Sequence, residues 1–193
     1  MRWKSTRESY GTVSIALHWL MAAMITGLFF LGIYMTGLDY VHPWYKEAPH
    51  LHKSFGLMVF VLLVFRTLWA LFNKKPAPVP MPAWESRSAA VVHWIFYPLL
   101  FGVTISGYLI AAADGRPIEL FNWFDVPALV AGIDRQEDIA GSFHYYIAVF
   151  TICLAALHAM AALKHHFIDR DGTLLRMLGM LGMFGVYRKD IDQ

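Results

Sequence analysis

An all-α fold of four membrane-spanning helices, with both termini in the cytoplasm, is predicted by three observations on this 193-residue chain. It is 58% hydrophobic and 16% charged, which favours a membrane protein over a water-soluble domain. Four charge-poor runs, at about residues 13–37, 52–72, 88–113 and 140–166, approach or exceed the roughly 20 residues that a helix needs to cross a hydrocarbon core of ~30 Å. Cations are also distributed unevenly between the segments joining the runs. The N-terminal arm (Arg2, Lys4, Arg7), the second loop (Lys74, Lys75, Arg87) and the tail (Lys164, Arg170, Arg176, Arg188, Lys189) hold 11 Lys and Arg. The opposite side holds four (Lys46, Lys53, Arg116, Arg135), and Arg66 within the second run completes the total of 16. The cation-rich side is the cytoplasmic one.

Each element follows from the local sequence. The first run is too long for a signal peptide, lacks a small-residue cleavage pattern and contains His18 and Trp19, so it is a span. Asp39–Leu51 is an outer loop with two prolines. Between the second and third runs, KKPAPVPMP cannot be helical and forms a stiff cytoplasmic connector. Asp114–Asp138 is the longest outer loop. Its six acids alternate with Ile118, Leu120, Phe121, Trp123 and Phe124, a mixture expected of a short amphipathic segment lying on the outer face as a lid. The tail sequence TLLRMLGMLGMFGVY is too short to span and is expected on the inner surface. Residues 1–193 are thus expected to form a single integral-membrane domain. Cys153 stands alone in mid-span, so there is no disulfide framework, and it reads as a small buried apolar residue. Tryptophans near the span ends suit an interfacial belt. No basic cluster with interleaved aromatics points to nucleic acid.

Histidines carry the chemistry. His18, His52, His144 and His158 lie within or at the ends of the apolar runs, where a polar side chain marks a functional site by default. His144 and His158 are 14 residues apart, close to four helical turns, so they share a helix face at an axial separation of ~21 Å. Depth then pairs His52 with His144 on the outer side and His18 with His158 on the inner side. Arg66 follows His52 by 14 residues and Gly32 follows His18 by 14. This puts a cation at the depth of the inner pair, where a haem propionate would suit it, and leaves space at the depth of the outer pair. Two neutral imidazoles from facing helices suit axial ligation of haem iron. A zinc site would want four ligands, usually including thiolate or carboxylate, and neither pair has an acid or cysteine nearby. Without C-x-x-C-H, two haems would be held noncovalently, as b-type. His50 is the rival to His52. His93, at the start of the third run, could face a propionate, a quinone or simply the headgroups. A nonredox metal-binding role for the histidines remains the alternative from a different class.

The runs ALHWL, LHKSFG, SFHYYIA and LHAMAALKHHFIDRDGTLLRM, with GYLIAAADGRPI and FNWFDVP, resemble the bacterial cytochrome b561 family from about Tyr10 to Met177. The resemblance implies an inner-membrane four-helix bundle in the membrane lipid, with two b haems ligated by His18 with His158 and by His52 with His144. It also implies electron exchange with membrane quinone, ubiquinone in one branch. The donor would be superoxide or a periplasmic redox protein, and the superoxide branch would make the chain a superoxide:ubiquinone oxidoreductase. Other members are membrane-anchor cytochrome b subunits of larger dehydrogenases or hydrogenases. An entrance for superoxide would need cations, for which Lys53 beside His52, Lys46, Arg116 and Arg135 are available.

Overall fold

The computed structural model describes residues 2–180. Its order is α1 (Thr12–Thr36), α2 (Glu47–Phe72), α3 (Ala83–Ala112), β1 (Ile118–Leu120), β2 (Phe124–Val126), α4 (Gln136–Phe167) and α5 (Thr173–Leu178). The four long helices are each long and apolar enough to cross a membrane. Several begin a turn or more before the apolar run. Glu47 and Glu85 occupy the first turns of α2 and α3, and Glu137 and Asp138 that of α4, where carboxylates meet the positive end of the helix dipole. Lys164, His165 and His166 occupy the last turn of α4 for the converse reason.

The chain divides into two compact units, and each long helix contributes to both. The first comprises Met1–Leu20, Phe65–Trp94 and Cys153–Gln193, described as far as Met180. Its N-terminal arm turns back on the start of α1. Thr12 N–H donates to the Arg2 carbonyl and Gly11 N–H to Ser5 Oγ (3.0 Å), and a Cβ at Gly11 would overlap the Trp3 carbonyl. Asn73 Nδ2 donates to Ser5 Oγ (2.8 Å), and Ala77 of the proline-rich connector donates to the Arg7 carbonyl (2.8 Å). Trp69 Nε1 donates to Ser14 Oγ (3.0 Å) and Trp19 Nε1 to the Met177 carbonyl (2.8 Å). Two of the belt tryptophans therefore spend their N–H groups on internal contacts.

The second unit comprises Met21–Val64 and Ile95–Ile152. Its core is a cluster of Met21, Val59 and Leu63, each no more than 2% exposed. Met24, Ile25 and Leu28 follow Met21 at helical i+3, i+4 and i+7 spacing. Tyr97, Leu100 and Phe101 present the same kind of stripe from α3. Outward positions such as Phe30, Ile33, Val61, Ile105 and Phe150 are apolar and exposed, as the lipid-facing surface of a spanning helix should be. Cys153 is a correction: it is exposed on α4, because a small apolar side chain in a spanning helix avoids water by facing lipid as well as by facing protein.

The long loop also departs from expectation. The amphipathic segment is an antiparallel hairpin with Ile118 opposite Val126 and Leu120 opposite Phe124. Its turn puts Phe121 (φ 50°) and Asn122 (φ 57°) in the left-handed region, as a primed turn requires at both central positions. Asparagine tolerates that conformation, whereas phenylalanine is strained there. Tertiary contacts hold it: Phe121 N–H donates to the fully buried Ser54 Oγ (3.1 Å), and its ring packs edge-on against Phe55 at 5.0 Å. In the tail, α5 covers Thr173–Leu178, and the apolar stretch beyond Met180 lies outside the described residues.

Candidate metal-ligating sites

In the second unit, the rings of His52 (α2) and His144 (α4) lie 6.2 Å apart between centroids, with their planes at 72°. In the first unit, His18 (α1) and His158 (α4) lie 6.5 Å apart at 73°. The structure therefore brings together both depth-matched pairs, and His52 is the imidazole that meets His144. A metal–imidazole bond of ~2 Å places a ring centroid about 3 Å from the metal, so two axial imidazoles stand about 6 Å apart. Both pairs match that spacing, which a direct imidazole hydrogen bond does not require.

Around His144 the surroundings are neutral and specific. Its Nδ1 lies 2.9 Å from the Val103 carbonyl and 3.2 Å from Ser106 Oγ. The Ser106 hydroxyl has its own acceptor, the Gly102 carbonyl at 2.7 Å, so its lone pairs are left to accept. The arrangement fixes the proton on Nδ1 and leaves Nε2 as a lone pair, the form that ligates metal. Space for both rings comes from glycine. A Cβ at Gly107 would lie 3.1 Å from His144 Cε1, and one at Gly32 would lie 3.2 Å from His52 Cε1. Gly32 thus stands where its spacing from His18 predicts, and Gly107 is its counterpart on α3. Lys53, next to His52, is exposed.

Charge surrounds the first-unit pair. Arg66 Nη2 lies 3.3 Å from His18 Nδ1. A guanidinium only donates, so in this arrangement Nδ1 accepts and the ring proton sits on Nε2. Ligation through Nε2 would move that proton to Nδ1 and release Arg66 to an acidic partner, for which its planar fork is better suited. A third imidazole, His93, stands 5.1 Å from His158, closer than two axial ligands would be. Sequence depth is compatible with His93 beside the inner pair, but it does not say which helix its ring faces; the structure supplies that contact.

The end of α4 carries an ion network in the same unit. Lys164 Nζ donates to Glu85 Oε1 (2.7 Å) and pairs with Asp169 Oδ2 (2.8 Å). His165 Nδ1 lies 2.8 Å from Asp169 and 3.0 Å from Asp171. Glu85, His165 and Asp169 place one potential metal-ligating atom each within 4.8 Å of one another, but Lys164 already supplies a cation to both carboxylates. That ammonium holds the Asp169 carboxyl below the usual carboxylate range.

Comparison with known proteins agrees with this architecture. The prokaryotic cytochrome b561 family matches residues 9–180. Cytochrome b561 homolog 2 of Escherichia coli (strain K12) is 47% identical over 180 residues, covering 93% of this chain and 96% of that protein. A probable superoxide oxidase, CybB, of Yersinia pestis is 30% identical over 174 residues, covering 89% and 96%. Cytochrome b561 homolog 1 of Escherichia coli (strain K12) is 27% identical over 177 residues, covering 88% and 96%. With four spanning helices and these relatives, the chain belongs to the prokaryotic cytochrome b561 family, the membrane cytochromes b that carry electrons in the bacterial inner membrane.

Proposed function

We propose that the protein carries single electrons between a donor on the periplasmic side and membrane quinone, ubiquinone being the expected partner. Two b haems would be held by His52 with His144 and by His18 with His158, with both termini in the cytoplasm as the cation distribution requires. The observation that carries this reading is the repeated ring geometry, 6.2 and 6.5 Å between centroids. A haem held by two imidazoles would supply an iron that accepts and releases one electron.

The residues of the chain do the remaining work. Val103 and Ser106 hold the proton of His144 on Nδ1, so the ring presents its other nitrogen without rearrangement. Arg66 offers a guanidinium beside His18 for a propionate carboxylate. His93 and Lys164 are the polar groups through which a quinone near the first-unit site would gain protons, with His93 nearer the histidine pair. The apolar outer faces of the helices keep the pathway in hydrocarbon.

Dithionite-reduced minus oxidised spectra, with pyridine haemochrome quantitation, test the reading on wild type, His52→Ala and His158→Ala. The expected result is two b haems in wild type and about one in each variant. Wild type without haem would leave the histidines to a nonredox metal or a structural role.

Superoxide as donor is favoured by the relationship to the probable superoxide oxidase. Of the four cations on that side, Arg116 is paired with Asp114 (2.5 Å) and Arg135 faces Asp138 (3.8 Å). Attraction of a small anion therefore falls to the exposed Lys53 and Lys46. Purified protein reconstituted with quinone should reduce it from superoxide unaided, and Lys53→Glu should slow that reaction several-fold at low salt. Dependence on a partner protein would instead make the chain an anchor subunit of a dehydrogenase or hydrogenase.

A further inference from the structure

Arg176 is the one residue of α5 that reaches back into the first unit with a charge, and its hydrogen bonding is incomplete. Nη1 donates to the Ala77 carbonyl (2.6 Å), while Nε is buried without a partner. An unpartnered guanidinium N–H shielded from water is costly and is kept where an acceptor completes it. The helix that carries it is firmly placed: Leu175 is buried, Met177 accepts from the Trp19 indole, and Gly179 lies against Ile15. Half-buried Tyr10 lies in the field of both Arg176 and Arg66; burial pushes its phenol up and the two guanidiniums oppose that. Arg66 in turn touches His18. Neither arginine pairs with a carboxylate among the described residues. Two guanidiniums thus act on one phenol and one of them touches the histidine pair, with donors available and no acid among the described residues to receive them.

We propose that Arg176, together with Arg66 and Tyr10, binds the carboxylates of a tetrapyrrole seated at the His18–His158 pair. The assignment rests on the reading that this pair holds a haem. It makes α5 and the proline-rich connector, through Ala77, part of the cofactor site. A carboxylate receiving Nε and a terminal nitrogen of Arg176 would form the planar two-point contact that guanidinium geometry favours. The phenol of Tyr10 would add a neutral donor.

The test uses full-length, haem-containing protein in the His52→Ala background, which isolates the haem of the first unit. The readouts are haem per protein and the optical midpoint potential. Reduction lowers the charge on the iron by one, so removing a nearby cation favours the ferric state. Arg176→Gln is expected to lower the ferrous-to-ferric ratio at fixed potential about tenfold, a shift of about 59 mV for one electron. Arg176→Lys should recover most of that shift, and Tyr10→Phe should give a smaller shift in the same direction. Leu175→Val, which loosens the seating of α5 but leaves the guanidinium, should leave the potential unchanged.

An equal shift in Leu175→Val would reduce Arg176 to a structural role and overturn the proposal. Haem retained at unchanged potential in Arg176→Gln overturns it as well. If that variant also loses co-purifying acidic phospholipid, the guanidinium belongs to a lipid phosphate. Absence of haem from the His52→Ala protein itself removes the histidine reading, and this assignment with it.

Discussion

The two histidine pairs share one geometry and differ in what surrounds it. His52 and His144 stand among neutral groups: a carbonyl and a hydroxyl on Nδ1 of His144, and glycines against both rings. His18 and His158 stand among cations and a spare imidazole, with Arg66 on His18 and His93 beside His158. The ring spacing matches what two imidazoles sharing one metal would need, while the surroundings differ. Fixed neutral dipoles hold a ligand in one tautomer and do little else. Arginines and an extra imidazole bind acids and move protons. Under the proposed function, the first unit would accordingly be the one to serve quinone chemistry and the second one-electron entry.

The most severe way to break this comparison is to fill the glycine cradle. Gly107→Val puts branched carbon where even a Cβ lies 3.1 Å from His144, so the second-unit haem should be lost while the first-unit haem stays. Haem stoichiometry of about one per protein would show it, and full retention would mean that the ring does not need its present position. Next, His93→Ala should keep both haems, because His93 lies too close to His158 to be its axial mate. Quinone reduction should nevertheless slow about 10²-fold, the lower range for loss of a general acid or base, in a quinol-formation assay. Loss of a haem would make His93 a ligand and erase the distinction between the sites.

A finer probe is Ser106→Ala. It removes one of two acceptors from Nδ1 of His144 and leaves the Val103 carbonyl. A hydrogen bond of ~1 kcal/mol corresponds to a rise of about 40 mV in the potential of that haem alone, measurable by redox titration in a His158→Ala background. The smallest expected effect concerns the Lys164–Asp169 contact of the first unit. The Asp169 carboxyl is held below its ordinary value, so its contribution to stability is present above about pH 4 and is lost as pH falls through the lowered value. Thermal melting in detergent should therefore fall more steeply below about pH 4 in wild type than in Lys164→Gln. Parallel curves would show the contact to be fully screened by solvent.

The helices and the pairing were legible because the signals are one-dimensional. Apolar length locates a span without knowledge of its neighbours, and a 14-residue interval restores the same helix face whatever lies opposite. Depth could thus pair His52 with His144 and His18 with His158. Gly32 was legible for the same reason. Gly107 and Ser106 were not, since each matters only through the helix it faces. His93 was legible as a polar candidate at the start of the third run, but only the packing of α3 against α4 shows its ring beside His158. A pattern of hydrophobicity cannot distinguish a serine that bonds its own helix from one that also meets an imidazole.

The hairpin marks the boundary most clearly. Its sequence, LFNWFDV, mixes apolar and acidic residues without a glycine at the turn, and phenylalanine at positive φ is locally unfavourable. The conformation exists because buried Ser54 accepts the Phe121 N–H and Phe55 receives its ring. The sequence by itself determined the four spans and which of the four span histidines face one another, because chain hydropathy and helical periodicity are local. Only the tertiary structure decided the hairpin, the glycine cradle, the place of the third imidazole and the shielding of Arg176 Nε, because each depends on contacts between residues far apart in the chain.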